Sequence, residues 1–241
     1  MLHKTRGIVF KTTDYSESSV VVQVFTEKFG LQAYLINGVK KPRAKISRNM
    51  LQPLHLLDMV VYHKPNGNIQ RVAELRNVPV LTEIPYDVVK SSLVIFLNEV
   101  IYKAIRQQEM DETLFNFVFY SVEWLDHQQN GLANFHLLFL VQLSRYLGFH
   151  PEKNTGETAS FFDLKDGLFV AKRPEHNLFL APPYTQYFNL LIDRNFEDLP
   201  EIKIPGDIRR FILDRLLEYY ALHIDGFGQI RSHEVLEEVL G

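Results

Sequence analysis

The chain has 241 residues, of which 46% are hydrophobic and 23% charged, a composition typical of one or two globular domains and unlike that of a disordered chain. It has no run of about eighteen apolar residues, and residues 1–6 lack the apolar core of a signal peptide, so we expect a cytoplasmic protein. The absence of cysteine excludes disulfides, a thiol nucleophile and thiolate-bound zinc.

Charge is divided unevenly along the chain. Residues 1–83 hold twelve Lys and Arg residues and six acidic residues, which gives this part a net charge of +6. The remainder holds 14 basic and 23 acidic residues, a net charge of −9. This asymmetry favours an anionic partner such as nucleic acid for the N-terminal part.

The first eighty residues are predicted to form β-strands, because short β-branched and aromatic runs alternate with turn residues. The predicted strands are residues 7–12, 19–26, 31–36, 58–63 and 69–75. Residues 65–68 (Pro-Asn-Gly-Asn) form the predicted hairpin turn before the fifth strand, since Asn and Gly tolerate positive φ. Five short antiparallel strands suit a small closed barrel such as the OB-fold, which commonly binds single-stranded nucleic acid.

From Pro85 onward, apolar residues recur at helical spacing. The predicted helices are residues 88–104, a segment capped by Asp111, residues 132–147 ending at Gly148, and residues 184–192, 205–223 and 232–240. We therefore predict an α+β chain with two domains. An N-terminal five-stranded OB-fold β-barrel covers residues 1–80, and a mostly α-helical domain covers residues 84–241, with a small β-hairpin insert at 150–183.

The segment 38–48 is the most distinctive local feature, with five cations and no acidic residue. Lys40, Lys41, Arg43, Lys45 and Arg48 fall within nine positions, and Pro42 prevents a continuous helix. Cations spaced along an extended loop can each reach a different phosphate and release condensed counterions. The segment is thus a candidate DNA-binding loop; the alternative is a solvated basic loop without a partner.

Aromatic residues near this loop are the next candidates, because bases stack on exposed aromatic rings. Most of them fit the interior of a barrel, and Tyr15, in a polar turn, is the clearest candidate for exposure. Arg6 and Lys11, on the first predicted strand, complete the candidate DNA-binding set.

Motifs of catalysis are missing from the sequence. It contains no phosphate-binding loop, no Gly-x-Ser-x-Gly and no His-Glu-x-x-His, so we predict no catalytic residue and no cofactor. The acidic pairs 111–112 and 237–238 fit helix-end and solvated charges better than metal ligands.

Several short motifs, in order, resemble the RecO family of bacterial recombination mediators. They are LHKTRGIVFK at 2–11, DYSES at 14–18, FT at 25–26, GL at 30–31, GVKK at 38–41, SR at 47–48, LQPL at 51–54 and AEL at 73–75. The helical part is similar more loosely, through YLGFHP at 146–151 and RSHEVL at 231–236.

The resemblance implies an N-terminal OB-fold followed by a helical domain, and a function without nucleotide hydrolysis. Members of the family bind single- and double-stranded DNA and anneal complementary strands coated with single-stranded-DNA-binding protein, whose acidic C-terminal tail they hold. Together with RecR they help load the RecA recombinase onto gaps. The family would therefore associate with the nucleoid.

Many family members carry four cysteines of a zinc finger after the third core helix, and this chain departs from them there. Residues 150–183 occupy that position without cysteine, and His150 and His176 alone cannot form a four-ligand site. We expect the hairpin to pack through Phe161, Leu168 and Val170 in place of the metal. We therefore expect the protein to bind no stoichiometric zinc or other metal and its melting temperature to be unaffected by a chelator.

An acidic tail that ends in apolar residues needs a cation for its carboxylates and an apolar pocket for its side chains. Arg145, one helical turn from Val141 and near Leu138, is the first candidate, and Arg106 is the second. The alternative is that Arg145 covers the core with its aliphatic stem.

Two other functions stay open from the sequence. One is a DNA-processing enzyme with an unrecognised site. The other is a scaffold whose basic loop binds an acidic protein, because phosphates and acidic peptides attract the same cations.

Overall fold

The computed structural model describes residues 1–65, 67–105, 109–154, 156 and 160–240. The chain forms two compact units, Met1–His127 and Gln128–Gly241. Among the described residues, no helix has the length and apolar character that crossing a bilayer requires.

A five-stranded closed barrel begins the first unit. Its strands are β1 (Leu2–Asp14), β2 (Val20–Thr26), β3 (Gly30–Ile36), β4 (Leu56–Tyr62) and β5 (Gln70–Asn77). The strand order around the barrel is β1-β2-β3-β5-β4, which confirms the predicted OB-fold and the α+β class. Asn66, in the predicted hairpin turn between β4 and β5, lies outside the described residues.

One pair of strands differs from the prediction of an antiparallel barrel. β3 and β5 are parallel, through Tyr34 beside Gln70 and Leu35 beside Arg71, whereas the other four pairs are antiparallel. The reason is geometrical: in a closed ring of five strands the direction cannot reverse at every neighbour.

The alternation of apolar residues fills the barrel. Val20, Val22 and Val24 of β2 are fully buried in a core that includes Tyr34. Gly7 of β1 faces this core, where an added Cβ would lie 2.6 Å from Cγ1 of Val24, so the close approach of the strands requires glycine.

Two helices, α1 (Val88–Ala104) and α2 (Glu112–His127), belong to the same unit as the barrel. The ring of Phe25 on β2 lies 5.7 Å from the ring of Phe115 on α2, and Asn98 of α1 donates a 3.0 Å hydrogen bond to the carbonyl oxygen of Phe10. Asp111 caps α2 as predicted, because its carboxylate accepts a 2.9 Å hydrogen bond from the backbone N–H of Leu114.

A buried charged cluster, which we call the Asp126 cluster, joins α1 and α2 to the segment before α1. The Asp126 carboxylate accepts hydrogen bonds of 2.8–2.9 Å from the backbone N–H groups of Thr82, Glu83 and Ile84. The ammonium of Lys90, which is fully buried, donates a 2.8 Å hydrogen bond to the carbonyl oxygen of Asp126. Burial opposes ionisation of Asp126, but the three N–H donors outweigh it and lower its pKa.

The second unit is mainly helical, as predicted. Its elements are α3 (Phe135–Tyr146), β6 (Phe161–Asp163), β7 (Leu168–Val170), β8 (Phe179–Leu180), α4 (Tyr184–Leu191), α5 (Gly206–His223) and α6 (His233–Leu240). The hydroxyl groups of Tyr219 and Tyr220 on α5 donate hydrogen bonds to the carbonyl oxygens of Phe149 and Leu140. These bonds fasten α5 to α3 and to the turn after it.

The small sheet at residues 161–180 corrects two expectations. It has three strands in the order β7-β6-β8, one more than the predicted hairpin. The buried face of the sheet is also the opposite of the predicted one. Phe162 is fully buried against Phe188 and Tyr219. Of the residues expected to pack, Leu168 is 46% exposed, and Phe161 and Val170 are half-buried. Phe161 and Phe162 are equally apolar, so the sequence did not distinguish the two faces.

The domain division that we predict from the sequence, residues 1–80 and 84–241, remains a prediction. The compact unit Met1–His127 contains the barrel together with α1 and α2.

Candidate nucleic-acid interface

The basic loop, residues 37–47, connects β3 to a 3₁₀ turn at Arg48–Leu51. Two consecutive turns shape it, because the N–H of Lys41 donates to the carbonyl oxygen of Gly38 and the N–H of Ala44 to that of Lys41, both at 3.1 Å. Gly38 has a φ of 76°, which glycine adopts without strain.

The second turn places Arg43 in an unusual backbone conformation. Pro42 is the second residue of this turn, and Arg43, the third, has a φ of 60°. Turns with Pro in the second position and positive φ in the third usually have Gly or Asn in the third position. A side chain here costs about 1 kcal/mol or more, and strain of this kind is frequent at functional sites.

Apolar contacts and hydrogen bonds hold both ends of the basic loop on the barrel. Val39 is 4% exposed and Leu51 is 2% exposed, and both belong to the barrel core. Ser19 donates a 2.9 Å hydrogen bond to the Asn37 side chain, and Thr12 donates one of 2.8 Å to the carbonyl oxygen of Leu51. The loop therefore presents its cations from an anchored backbone.

The five loop-region cations fall into two groups. Lys40 and Arg48 share the carboxylate of Asp14, at 3.2 and 2.7 Å. Their hydrogen bonds lower the pKa of Asp14. Lys41, Arg43 and Lys45 are exposed and form no ion pair with any described residue. These three are available to an anionic ligand without breaking an existing contact.

Tyr15 lies in the turn that Lys40 and Arg48 contact. It follows Asp14 in the turn between β1 and β2, and its side chain is 63% exposed. The Lys40 ammonium lies 3.4 Å from the carbonyl oxygen of Ser16, so this turn and the basic loop are neighbours. An exposed aromatic ring is thus placed near Lys40 and Arg48, a combination that occurs in binders of single-stranded nucleic acid.

Arg6 and Lys11 are placed differently from the loop cations. Arg6 forms an ion pair with Glu27 at 2.9 Å, donates a 2.7 Å hydrogen bond to Asn116, and lies over the Phe119 ring at 4.8 Å. The hydrogen bond with Glu27 raises the pKa of Arg6 further. Lys11 is exposed, with its ammonium 5.6 Å from the Tyr102 ring. Arg6 therefore ties β1 to α2, whereas Lys11 remains accessible.

In the second unit, Arg145 is exposed but already has partners. Its guanidinium lies 3.2 Å from the Asp193 carboxylate and 3.0 Å from Nε2 of His150. Leu138 and Val141 are almost completely buried, so neither forms an apolar surface beside Arg145. Arg106, the second candidate, lies outside the described residues.

A cleft of about 810 Å³ in the second unit was not predicted from the sequence. Its lining combines apolar groups of Tyr187, Pro200 and Pro205 with the exposed cation Lys203. Lys203 donates a 2.9 Å hydrogen bond to the carbonyl oxygen of Pro200, which fixes the cation at the cleft. Only the packing of distant segments brings these residues together.

Possible metal ligands come together at one place in the described part of the chain. Asp214, His233 and Glu237 place one donor atom each within 4.8 Å of one another. His150 and His176, in the region that corresponds to the zinc finger of relatives, are separately engaged: His150 with Arg145 and His176 with Asp163 at 3.1 Å.

The closed five-stranded barrel gives the first unit an OB-fold. The exposed cations of its basic loop are suited to a polyanionic ligand. The family model described as "Recombination protein O N terminal" matches residues 1–78, and the one described as "Recombination protein O C terminal" matches residues 85–232. The chain therefore belongs to the RecO family, a family of recombination mediators.

Curated relatives agree with this assignment over nearly the whole chain. The DNA repair protein RecO of Azobacteroides pseudotrichonymphae genomovar. CFP2 is 33% identical, with 99% of both chains covered. Those of Phocaeicola vulgatus and Flavobacterium psychrophilum are 32% and 35% identical, with 99% and 98% of both chains covered. Family membership supports a role in DNA repair and recombination, and it implies DNA binding.

Proposed function

We propose that this protein is a non-enzymatic recombination mediator that binds single- and double-stranded DNA through the basic loop. It anneals complementary strands and, with RecR, helps load the RecA recombinase onto single-stranded DNA coated with single-stranded-DNA-binding protein. The observation that supports DNA binding at this place is the group of exposed cations without acidic partners, Lys41, Arg43 and Lys45, on an anchored loop beside Tyr15.

Electrostatics limits how many phosphates the loop contacts. Each phosphate contact on single-stranded DNA contributes about −0.7 to the slope of log K against log salt concentration. Three free cations give a slope of about −2, and all five give about −3.5 if phosphate displaces Asp14 from Lys40 and Arg48. In the second case, affinity falls about a hundredfold between about 50 and 200 mM salt.

Annealing follows from the same charges. Two complementary strands repel each other through their phosphates, and cations that neutralise part of this charge lower the barrier to pairing. Stacking on Tyr15 binds bases without reading their sequence, so one surface accepts any strand. No step requires nucleotide hydrolysis.

The experiment replaces Lys40, Lys41, Arg43, Lys45 and Arg48 together by Ala. We expect the salt slope to flatten by about 3.5 if all five cations contact phosphates, and by about 2 if only Lys41, Arg43 and Lys45 do. Annealing of coated strands should be lost, and the melting temperature should stay the same because these side chains are exposed. Binding is measured by fluorescence anisotropy, and annealing is measured without nucleotide.

A matched pair of double variants locates the effect. Lys41→Ala with Lys45→Ala removes two loop cations and is expected to flatten the slope by about 1.4. Lys4→Ala with Lys28→Ala removes two exposed cations outside the basic loop, one on β1 and one just before β3, and the slope should not change. If the two double variants behave alike, or if the fivefold variant keeps its slope, the loop is not the DNA site. Unaltered DNA binding together with loss of an acidic protein partner would support the scaffold function.

We further propose that the acidic tail of single-stranded-DNA-binding protein binds in the cleft at Lys203. The cleft supplies a fixed cation and an apolar lining together, which such a tail requires. Arg145, our candidate from the sequence, is paired with Asp193 and lacks the apolar neighbours expected for it.

A labelled tail peptide separates these positions. We expect Lys203→Ala to weaken binding at least fivefold, while Arg145→Ala and Arg106→Ala leave it within twofold, on the scale of about 1–1.5 kcal/mol for a charge-assisted contact. Loss of binding in either arginine variant but not in Lys203→Ala would place the tail at the arginines.

A further inference from the structure

Helices α5 and α6 present three potential metal ligands to one another. Asp214 lies on α5, and His233 and Glu237 lie four residues apart on α6, hence on one face of that helix. One donor atom from each side chain lies within 4.8 Å of the other two. From the sequence we interpreted Glu237 as a solvated charge; the structure places it beside a histidine and a second carboxylate.

The donor set matches the preferences of a divalent transition-metal ion. One imidazole nitrogen and two carboxylates can bind Zn²⁺ at about 2.0–2.2 Å and leave a fourth position for water. Donor atoms around tetrahedral zinc are about 3.4 Å apart. Side-chain rotations that move each donor atom by about 1 Å would therefore let all three bind one ion. The carboxylate of Asp214 comes from α5 and that of Glu237 from α6, so a bound ion would bridge the two helices.

Among the described residues, the three potential ligands lack ion-pair partners that would compete with a metal ion. Nδ1 of His233 is buried and has no hydrogen-bond partner there, and Asp214 and Glu237 form no ion pair. A buried ring nitrogen without a partner carries a desolvation cost that a metal ion would remove.

Nearby cations do not replace the metal. Arg215, next to Asp214 in the chain, is paired with Glu218 at 2.6 Å. Arg210 lines a small cavity together with Glu237 but forms no ion pair with any described residue. The carboxylates of Asp214 and Glu237 are therefore not neutralised by an ion pair with either arginine and can bind a metal ion.

We propose that Asp214, His233 and Glu237 bind one divalent transition-metal ion, with zinc as the preferred ion, and that this ion fastens α6 to α5. The helix α6 has eight residues and only one fully buried side chain, Leu236, so little apolar contact holds it. A metal bridge compensates for this small contact area. The site is unrelated to the cysteine site of relatives, which this chain lacks.

The test uses the full chain without a histidine tag, freed of metal by a chelator. Titration with Zn²⁺ should show one site per chain, and a hundredfold excess over the dissociation constant should raise the melting temperature by about 5–10 °C. Co²⁺ should give the visible absorption of a tetrahedral or five-coordinate site. Mg²⁺ should bind far more weakly, because imidazole is a poor ligand for it.

Variants identify the ligands. Glu237→Gln and His233→Ala should each weaken zinc binding at least tenfold and abolish the Co²⁺ absorption. Glu238→Gln removes the same charge from the exposed neighbouring position and should bind like the parent. Circular dichroism of each metal-free variant verifies folding, and Asp214→Asn, on the other helix, gives a second measurement if an α6 variant unfolds. The proposal would be overturned if the parent does not bind one zinc per chain, or if the Asp214→Asn and Glu237→Gln variants bind zinc as tightly as the parent.

Discussion

Two groups of charged residues in the first unit are built in opposite ways. In the Asp126 cluster, Asp126 and Lys90 are almost completely buried, and Asp126 accepts three backbone hydrogen bonds while Lys90 donates to its carbonyl oxygen. In the basic loop, Lys41, Arg43 and Lys45 are exposed and form no ion pair with a described residue. A buried charge needs partners within the fold, whereas an exposed charge without partners is free to bind a ligand. The comparison predicts that changes in the cluster alter stability and changes in the loop alter DNA binding.

The largest effect is expected from Asp126→Ala. It leaves the three N–H groups of Thr82, Glu83 and Ile84 without their acceptor, whereas the carbonyl oxygen that accepts from Lys90 remains. The free energy of unfolding should therefore fall by about 3–5 kcal/mol, as measured by urea denaturation. The salt slope of DNA binding should not change as long as the variant is folded, that is, at urea concentrations below its denaturation midpoint. A large change in that slope would contradict the separation of the two groups.

The same carboxylate gives a pH dependence with a definite sign. The folded-state pKa of Asp126 is lowered, so its ionised form contributes stability above about pH 4, and this contribution is lost as the pH falls further. The Asp126→Asn variant should lack this part of the acid-induced loss, which paired denaturation curves would show.

His136 extends the comparison to a buried group of the second unit. Burial, and secondarily the charge of Arg209, lower its pKa to about 3. Because the unfolded chain binds this proton near pH 6.5, stability should fall as the pH decreases below 6.5. Between about pH 6.5 and 4 the loss is about 3 kcal/mol. His136→Gln should show a smaller decrease over the same range, and an identical decrease would refute the assignment.

Arg43→Gly sharpens the comparison, because it should move stability and DNA affinity in opposite directions. Glycine adopts a φ of 60° without strain, so stability should stay the same or rise by up to about 1 kcal/mol. Loss of one phosphate contact should lower DNA affinity about fivefold at about 0.1 M salt. Arg43→Lys is the control for charge, and Arg43→Ala, which keeps the strain, should lose affinity without gaining stability.

The smallest effect is expected from Asp14→Asn. This change releases Lys40 and Arg48 from their shared carboxylate, so DNA affinity should rise about two- to fivefold and the salt slope should become steeper. Anisotropy titrations at several salt concentrations measure both quantities. Weaker binding in this variant would show that Asp14 positions the two cations for DNA.

The sequence predicted the elements better than their contacts. Strand and helix boundaries depend on local alternation and capping, so β2 and α1 agree closely with the predicted ranges. The parallel pairing of β3 with β5 depends on closure of the barrel, and the buried face of β6 depends on helices that follow it. Neither can be derived from local periodicity alone.

The candidate sites show the same division. The basic loop was recognisable because its cations are adjacent in the sequence. Lys90 and Asp126 were not recognised, since an isolated charge in an amphipathic helix resembles a solvated one. Asp214 and His233 come from separate helices, and the residues around the Lys203 cleft from separate segments, so only the folded chain brings each set together.

The parallel contact between β3 and β5 has a kinetic consequence. It joins only two residue pairs, fewer than any other pair of strands in the barrel, and its partners are 36 residues apart in the chain. Forming it late in folding avoids the entropic cost of closing this long segment before the hairpins exist. We therefore expect the backbone amides that donate between β3 and β5, within residues 34–36 and 70–72, to exchange with deuterium earlier than those between β1 and β2. The barrel would thus open reversibly along this seam, next to the loop that is proposed to hold DNA.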